Sequence, residues 1–111
     1  MSIEIARAKV LLNPQQFRPD FYSWLNLNYV VYEAFEREAD KIRGRGRSHY
    51  SHRTIWEFLR HETALREASR EYKLNDHFTK DCALLYSMLH PEAKAFFEFR
   101  GLRSAGVGAA A

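Results

Sequence analysis

From Phe21 onward the apolar positions recur as Phe21, Leu25, Asn28, Tyr32, Phe35, Ala39 and Ile42, alternately four and three residues apart, with Asn28 as the one polar interruption. That is the period of an α-helix burying one face. Trp24 and Val31 widen the stripe, and Pro19 stands at its start. Asp20 lies in the first turn and Lys41 and Arg43 in the last, which complements the helix dipole. Gly44 and Gly46 then supply a stop. The pattern predicts one long helix over 19–43.

Ser51 is placed as the N-cap of a second helix, with Tyr50 and Ile55 spaced as a hydrophobic staple. Ile55, Phe58, Leu59, Glu62 and Leu65 keep the helical period and predict a helix over 52–67. Residues 71–75 alternate polar and apolar, the mark of a short strand, and Asn75 with Asp76 is turn chemistry. A third main helix starts at Asp76 or just after Thr79, buries Phe78, Cys82, Leu85 and Leu89, and stops at Pro91, which can open one further turn over 92–96. Phe97, Phe99 and Leu102 alternate as a second strand able to pair with 72–74. Near the start, Ile3, Ile5, Ala8 and Leu12 suit one helix face, while Ile3 and Ile5 equally begin a strand. Asn13 and Pro14 begin at most one turn before Arg18 and Pro19 interrupt it.

The order is long helix, basic loop, helix, short strand, helix, short strand. It predicts a mainly α (α+β) protein: three main helices with a short two-stranded hairpin, an order compatible with a winged helix-turn-helix. No repeat or inter-domain linker breaks the chain, so residues 1–103 read as a single helical domain. Residues 104–111, SAGVGAAA, read as a disordered tail.

Composition narrows the class. The chain has 111 residues, 46% of them hydrophobic and 14% aromatic, enough for one domain with a core. Cys82 is the one cysteine, which excludes an internal disulfide and fits a reducing compartment. No apolar run approaches a membrane span, and the first twelve residues lack a signal peptide's apolar centre, so a cytoplasmic protein with no membrane partner is expected. His49, His52 and His61 lack the spacing of a metal motif, and no cofactor motif is present. The acidic residues beside arginines on helices fit surface ion pairs better than acid–base catalysis, so no enzyme is expected.

The net charge of +3 is small, and its location carries more meaning than its size. Residues 41–53, KIRGRGRSHYSHR, hold Lys41, Arg43, Arg45, Arg47 and Arg53 and no acid. Gly44 and Gly46 leave the backbone free to follow a phosphate chain, and Arg53 sits in a helix's first turn, where a cation makes most sense beside an anion. The candidate nucleic-acid-binding residues are therefore Arg43, Arg45, Arg47, His49, Tyr50, His52 and Arg53. Lys73, Asn75 and Lys80 join them from the strand and third helix. That helix would expose Asp76, His77, Lys80, Asp81, Ala83, Leu84 and Ser87, a face poorly suited to a groove because of its aspartates. The aromatic content raises a second possibility, a protein interface or homodimer using Tyr29 and Trp56, which lie off the main stripes.

Three runs carry a resemblance: Tyr50-Ser51-His52-Arg53-Thr54-Ile55, Tyr72-Lys73-Leu74-Asn75-Asp76-His77-Phe78 and Phe96-Phe97-Glu98-Phe99-Arg100. Together, over 41–102, they resemble a family of small phage and prophage proteins. The family pattern is a basic loop, an aromatic-Ser helix start, an FKINNNY-like stretch and an FFExR-like ending. The chain departs from it at Asp76 and His77, where the family tends to have Asn. The resemblance implies a phage-related origin and a compact helical fold, and implies no activity.

Two functions follow as expectations. One is a phage-type nucleic-acid-binding accessory or regulatory protein, with duplex DNA preferred over RNA. The other is a protein–protein inhibitor or adaptor acting on a host enzyme or defence complex.

Overall fold

A computed structural model describes residues 3–62 and 78–97. Five helices account for most of them: α1 (Ile3–Leu12), α2 (Phe21–Leu27), α3 (Tyr29–Gly44), α4 (His52–Arg60) and α5 (Thr79–Leu89), followed by a 3-10 turn at Pro91–Ala93. The mainly helical expectation holds. Among the described residues there is no strand, only an isolated parallel bridge between Tyr50 and Phe97. The expected strand at 71–75, most of its partner at 97–102, and the tail at 104–111 lie outside the described residues.

The 2–12 ambiguity resolves as helix. Its buried side, however, is Ala6 and Val10, with Ile5 half exposed and Leu12 about three-quarters exposed. Asn13 finishes α1, its side-chain amide donating to the Lys9 carbonyl at 2.9 Å. Gln16 N–H then donates to Asn13 O at 3.0 Å, the single turn allowed between the two prolines.

The predicted long helix is two helices. The stripe is buried as read, from Phe21 and Leu25 to Ala39 and Ile42, but the polar interruption is the break. Asn28 leaves helical geometry at φ −129° and ψ 37°. It is fully buried, and both its backbone N–H (2.8 Å) and its side-chain amide (3.2 Å) donate to the Trp24 carbonyl. The amide side chain competes with the helical ladder for backbone groups, which an apolar residue at this place in the stripe could not do.

Helix α4 begins as expected: Ser51 Oγ accepts from Thr54 N–H at 3.3 Å. It closes at Arg60, with His61 and Glu62 N–H turning back onto the Phe58 and Leu59 carbonyls, and residues 63–67 of the predicted run lie outside the described residues. Ile55, Trp56 and Leu59 face the core, while Phe58 stands 47% exposed.

Helix α5 is the centre of the molecule, packed by α1, α3 and α4. Cys82, Ala83, Leu84, Leu85 and Tyr86 are all buried, and so is Asp81. This corrects the reading of Asp81, Ala83 and Leu84 as an exposed recognition face. A helix that is apolar on nearly all sides is a core helix and cannot lie in a DNA groove. The winged helix-turn-helix arrangement therefore finds no recognition helix in α5.

The aromatic excess is mostly core. Trp24 stacks on Phe78 (ring centroids 4.8 Å apart) and Phe21 (5.8 Å), and lies against Trp56, which in turn meets Phe35 edge-on. Phe97 closes the other end against Phe35 and Tyr86. Trp56, expected at an interface, is fully buried. Off the main stripe, it serves a second core contact between α4 and α2–α3.

Candidate nucleic-acid interface

Within the basic run Lys41 and Arg43 pair with carboxylates of the fold, whereas Arg45 and Arg47 meet none among the described residues. Lys41 pairs with Glu38 at 3.2 Å along α3. Arg43 is held on three sides: Nη1 donates to Tyr86 Oη at 2.9 Å, Nη2 to Glu92 Oε2 at 3.3 Å, and Asp40 Oδ1 lies 3.9 Å away. The Tyr86 hydrogen bond, and after it Glu92, holds the guanidinium above its ordinary pKa against the opposing effect of burial. Glu92 is held below the usual carboxylate range, first by its own backbone N–H and also by Arg43. Beside this cluster His90 Nε2 meets Glu36 Oε2 at 2.7 Å, and its ring stacks on Tyr86 at 4.3 Å. Together these contacts pin the C-terminal end of α3 to α5 and the turn after it. Arg43 is thus engaged by the fold, unlike the two arginines that follow it in the candidate set.

Immediately beyond it the chain turns outward. Arg45 N–H donates to Ile42 O at 3.1 Å and Gly46 N–H to Arg43 O at 2.9 Å, closing α3. Gly46 takes φ +94°, the left-handed geometry in which a side chain is strained, so glycine is required for the reversal. Arg45 and Arg47 are exposed. Neither comes within ion-pairing distance of a carboxylate among the described residues. Arg47 instead lies over the Tyr50 ring, 5.4 Å from its centroid.

Tyr50 fixes the far end of the loop. Its N–H donates to Phe96 O at 3.0 Å, and its ring stacks on Phe96 with an interplanar angle of 11°. His49 is exposed and its Nδ1 lies 3.2 Å from Ser48 Oγ. So the loop is anchored at Arg43 and Tyr50, and its arginines stand between the anchors.

His52 is a packing residue. Its Nδ1 lies 3.0 Å from Thr79 Oγ1, while Thr79 Oγ1 donates to His52 O at 3.3 Å, and its ring meets Phe97 edge-on. Burial, helped by the charges of Arg53 and Lys80, pushes its pKa down to about 4, so it is neutral at pH 7. The His52–Thr79 contact brings the start of α4 beside the start of α5. It thereby sets exposed Arg53 and exposed Lys80 in one positive region around His52, two candidates separated by 27 positions in sequence. Lys73 and Asn75 lie outside the described residues.

Tyr29 is half-buried against Tyr32, with its hydroxyl pushed up to about 12 by burial and by Glu33, Glu36 and Glu4. Cys82 is fully buried, and burial pushes its thiol well up, so it is an inert core residue.

Asp81 is the charged residue that sequence reasoning put on the wrong side of its helix. It is 3% exposed; Oδ1 accepts the Arg18 N–H at 3.4 Å, and Oδ2 has no hydrogen-bond partner among the described residues. Burial pushes its pKa up to about 6 against the opposing pull of Arg18 and Lys80. An aspartate in a helix's first turn ordinarily reads as an exposed dipole partner, so its neighbours alone gave no signal.

Compared with protein-family models, with curated proteins and with solved structures, the chain matches none. Among the described residues no helix is long and apolar enough to cross a membrane.

Proposed function

We propose that this chain is a small, non-catalytic nucleic-acid-binding accessory protein of phage type, gripping duplex DNA through its phosphates. Arg45 and Arg47 are the primary contacts, and Arg53 and Lys80 extend the positive surface. The observation that carries the reading is the division within one run of basic residues: Arg43 is engaged by Asp40 and Glu92, whereas Arg45 and Arg47, held out by two anchored ends, meet no carboxylate among the described residues. An arginine with no carboxylate partner keeps its full charge for an external anion, and rows of such residues bind a phosphate backbone without reading sequence. With α5 in the core, the grip is of the backbone and not of base edges. Fluorescence anisotropy with a labelled duplex of about 20 base pairs tests it. Binding at low salt that is lost in an Arg45→Ala/Arg47→Ala variant supports the reading, and no binding at low salt rejects it.

The second reading, an inhibitor or adaptor for a host protein, is favoured by Phe58, a large aromatic standing 47% exposed on α4. Trp56, being core, no longer supports it. Capture of one host protein that is lost in a Phe58→Ala variant and kept in the double arginine variant would support this reading over the first.

A further inference from the structure

Helix α1 has two apolar faces, one buried in the core and one largely exposed. Ala6 and Val10 face inward at 0% and 5% exposure. Arg7, on the flank, hydrogen-bonds through Nε to Asn26 Oδ1 of α2 and fixes the roll of the helix. The opposite side carries Ile5 (50% exposed), Leu11 (59%), Leu12 (76%) and exposed Ala8. Ile5, Ala8 and Leu12 are spaced three and four residues apart, which is one seam of a heptad, with Ile5 and Leu12 at a and Ala8 at d. Inward-facing Ala6 and Val10 then fall at b and f, the side of a coiled-coil helix away from its partner. A helix that is apolar on both sides is ordinarily covered on both.

The charges beside the seam identify what covers it. In this register Glu4 is a g position and Lys9 the following e position. Neither makes an ion pair within ion-pairing distance among the described residues. Two parallel helices in contact along a and d place g of one beside e of the next heptad of the other. A second copy of this chain would therefore give Glu4 to Lys9 and Lys9 to Glu4, both at once, about a two-fold axis parallel to the helix. An antiparallel pair would bring like edges together, Lys9 toward Lys9, and is disfavoured.

We infer that the outer face of α1, Ile5, Ala8, Leu11 and Leu12 flanked by Glu4 and Lys9, is a parallel homodimer interface. The face is short, so the dimer is weak, with dissociation in the range of about 10 µM to about 1 mM. Ala8, the small residue between the two larger ones, lets the helices approach closely. This inference does not depend on nucleic-acid binding.

Sedimentation equilibrium of the full chain between about 10 µM and about 1 mM tests it. A monomer–dimer equilibrium is expected, abolished by Leu12→Glu, a change at an exposed position that leaves the helical circular dichroism intact. Glu4→Lys and Lys9→Glu should each raise the dissociation constant roughly tenfold, because each makes two like-charge contacts per dimer. An equimolar mixture of these two variants restores both ion pairs and should dimerise at least as tightly as the unaltered chain. A chain that is monomeric throughout the range overturns the inference and leaves the face to a different partner. A mixture no tighter than either variant overturns the parallel pairing.

Discussion

Tyr86 Oη donates a 2.6 Å hydrogen bond to Asp40 Oδ1 and accepts a 2.9 Å one from Arg43 Nη1, so one hydroxyl on α5 orders an acid and a base on α3. Its own pKa is raised by burial and by Asp40, against the opposing pull of Arg43. The phenol therefore stays protonated and donates to the carboxylate. This one contact decides which arginine of the basic run belongs to the fold.

Replacing Tyr86 by Phe removes the hydroxyl and leaves Asp40 and Arg43 partly exposed to water, which can solvate them. The expected loss is about 1–2 kcal/mol in urea denaturation. A loss near zero would mean that the network does not hold α3 to α5.

Arg43→Ala should cost a similar amount of stability, about 1–2 kcal/mol, and yet leave the salt dependence of DNA binding almost unchanged. A slope reduced as much as in Arg45→Ala would return Arg43 to the phosphate-binding set.

Stability should respond to pH through two groups with opposite signs. His52 has a folded pKa near 4 against an ordinary 6.5, so its contribution is present above 6.5 and is lost as pH falls toward 4. Asp81 has a folded pKa near 6 against an ordinary 3.8, so its contribution is present below 3.8 and is lost as pH rises through 6. Asp81→Asn should therefore stabilise the protein by about 1–2 kcal/mol at pH 8 and confer little or nothing near pH 4. Thermal melts of the variant and the unaltered chain at the two pH values check this; an equal shift at both would contradict it.

Trp56→Ala should cost about 3–5 kcal/mol, enough to leave the domain largely unfolded, whereas Phe58→Ala on the same helix should cost about 1 kcal/mol or less. Similar costs for the two would show that the burial assigned to α4 is wrong.

What the sequence made legible follows from what periodicity measures. The stripe from Phe21 to Ile42, the Ser51 cap and the stop at Gly44 and Gly46 are local, and the structure has them. The break at Asn28 was visible only as a polar residue in an apolar stripe. The side-chain hydrogen bond that Asn28 makes there to the Trp24 carbonyl belongs to the buried surroundings, which the sequence pattern does not show. In α1 both sides are apolar, so periodicity found a seam but could not say which side turned inward. In α5 the helix is surrounded, and a one-sided reading put Asp81, Ala83 and Leu84 outside. Arg43 and Arg45 look alike in sequence; Tyr86 and Glu92, more than 40 positions away, separate them. The His52–Thr79 contact that gathers Arg53 and Lys80 is equally non-local.

The central claim is that Arg45 and Arg47 reserve their charge for an external polyanion, and the salt dependence of duplex binding measures it most directly. The account predicts that the logarithm of the association constant falls linearly with the logarithm of salt concentration. It also predicts that the Arg45→Ala/Arg47→Ala variant has a slope shallower by about 1.8, two phosphate contacts at about 0.9 each. Binding that is insensitive to salt, or a double variant with an unchanged slope, would contradict it.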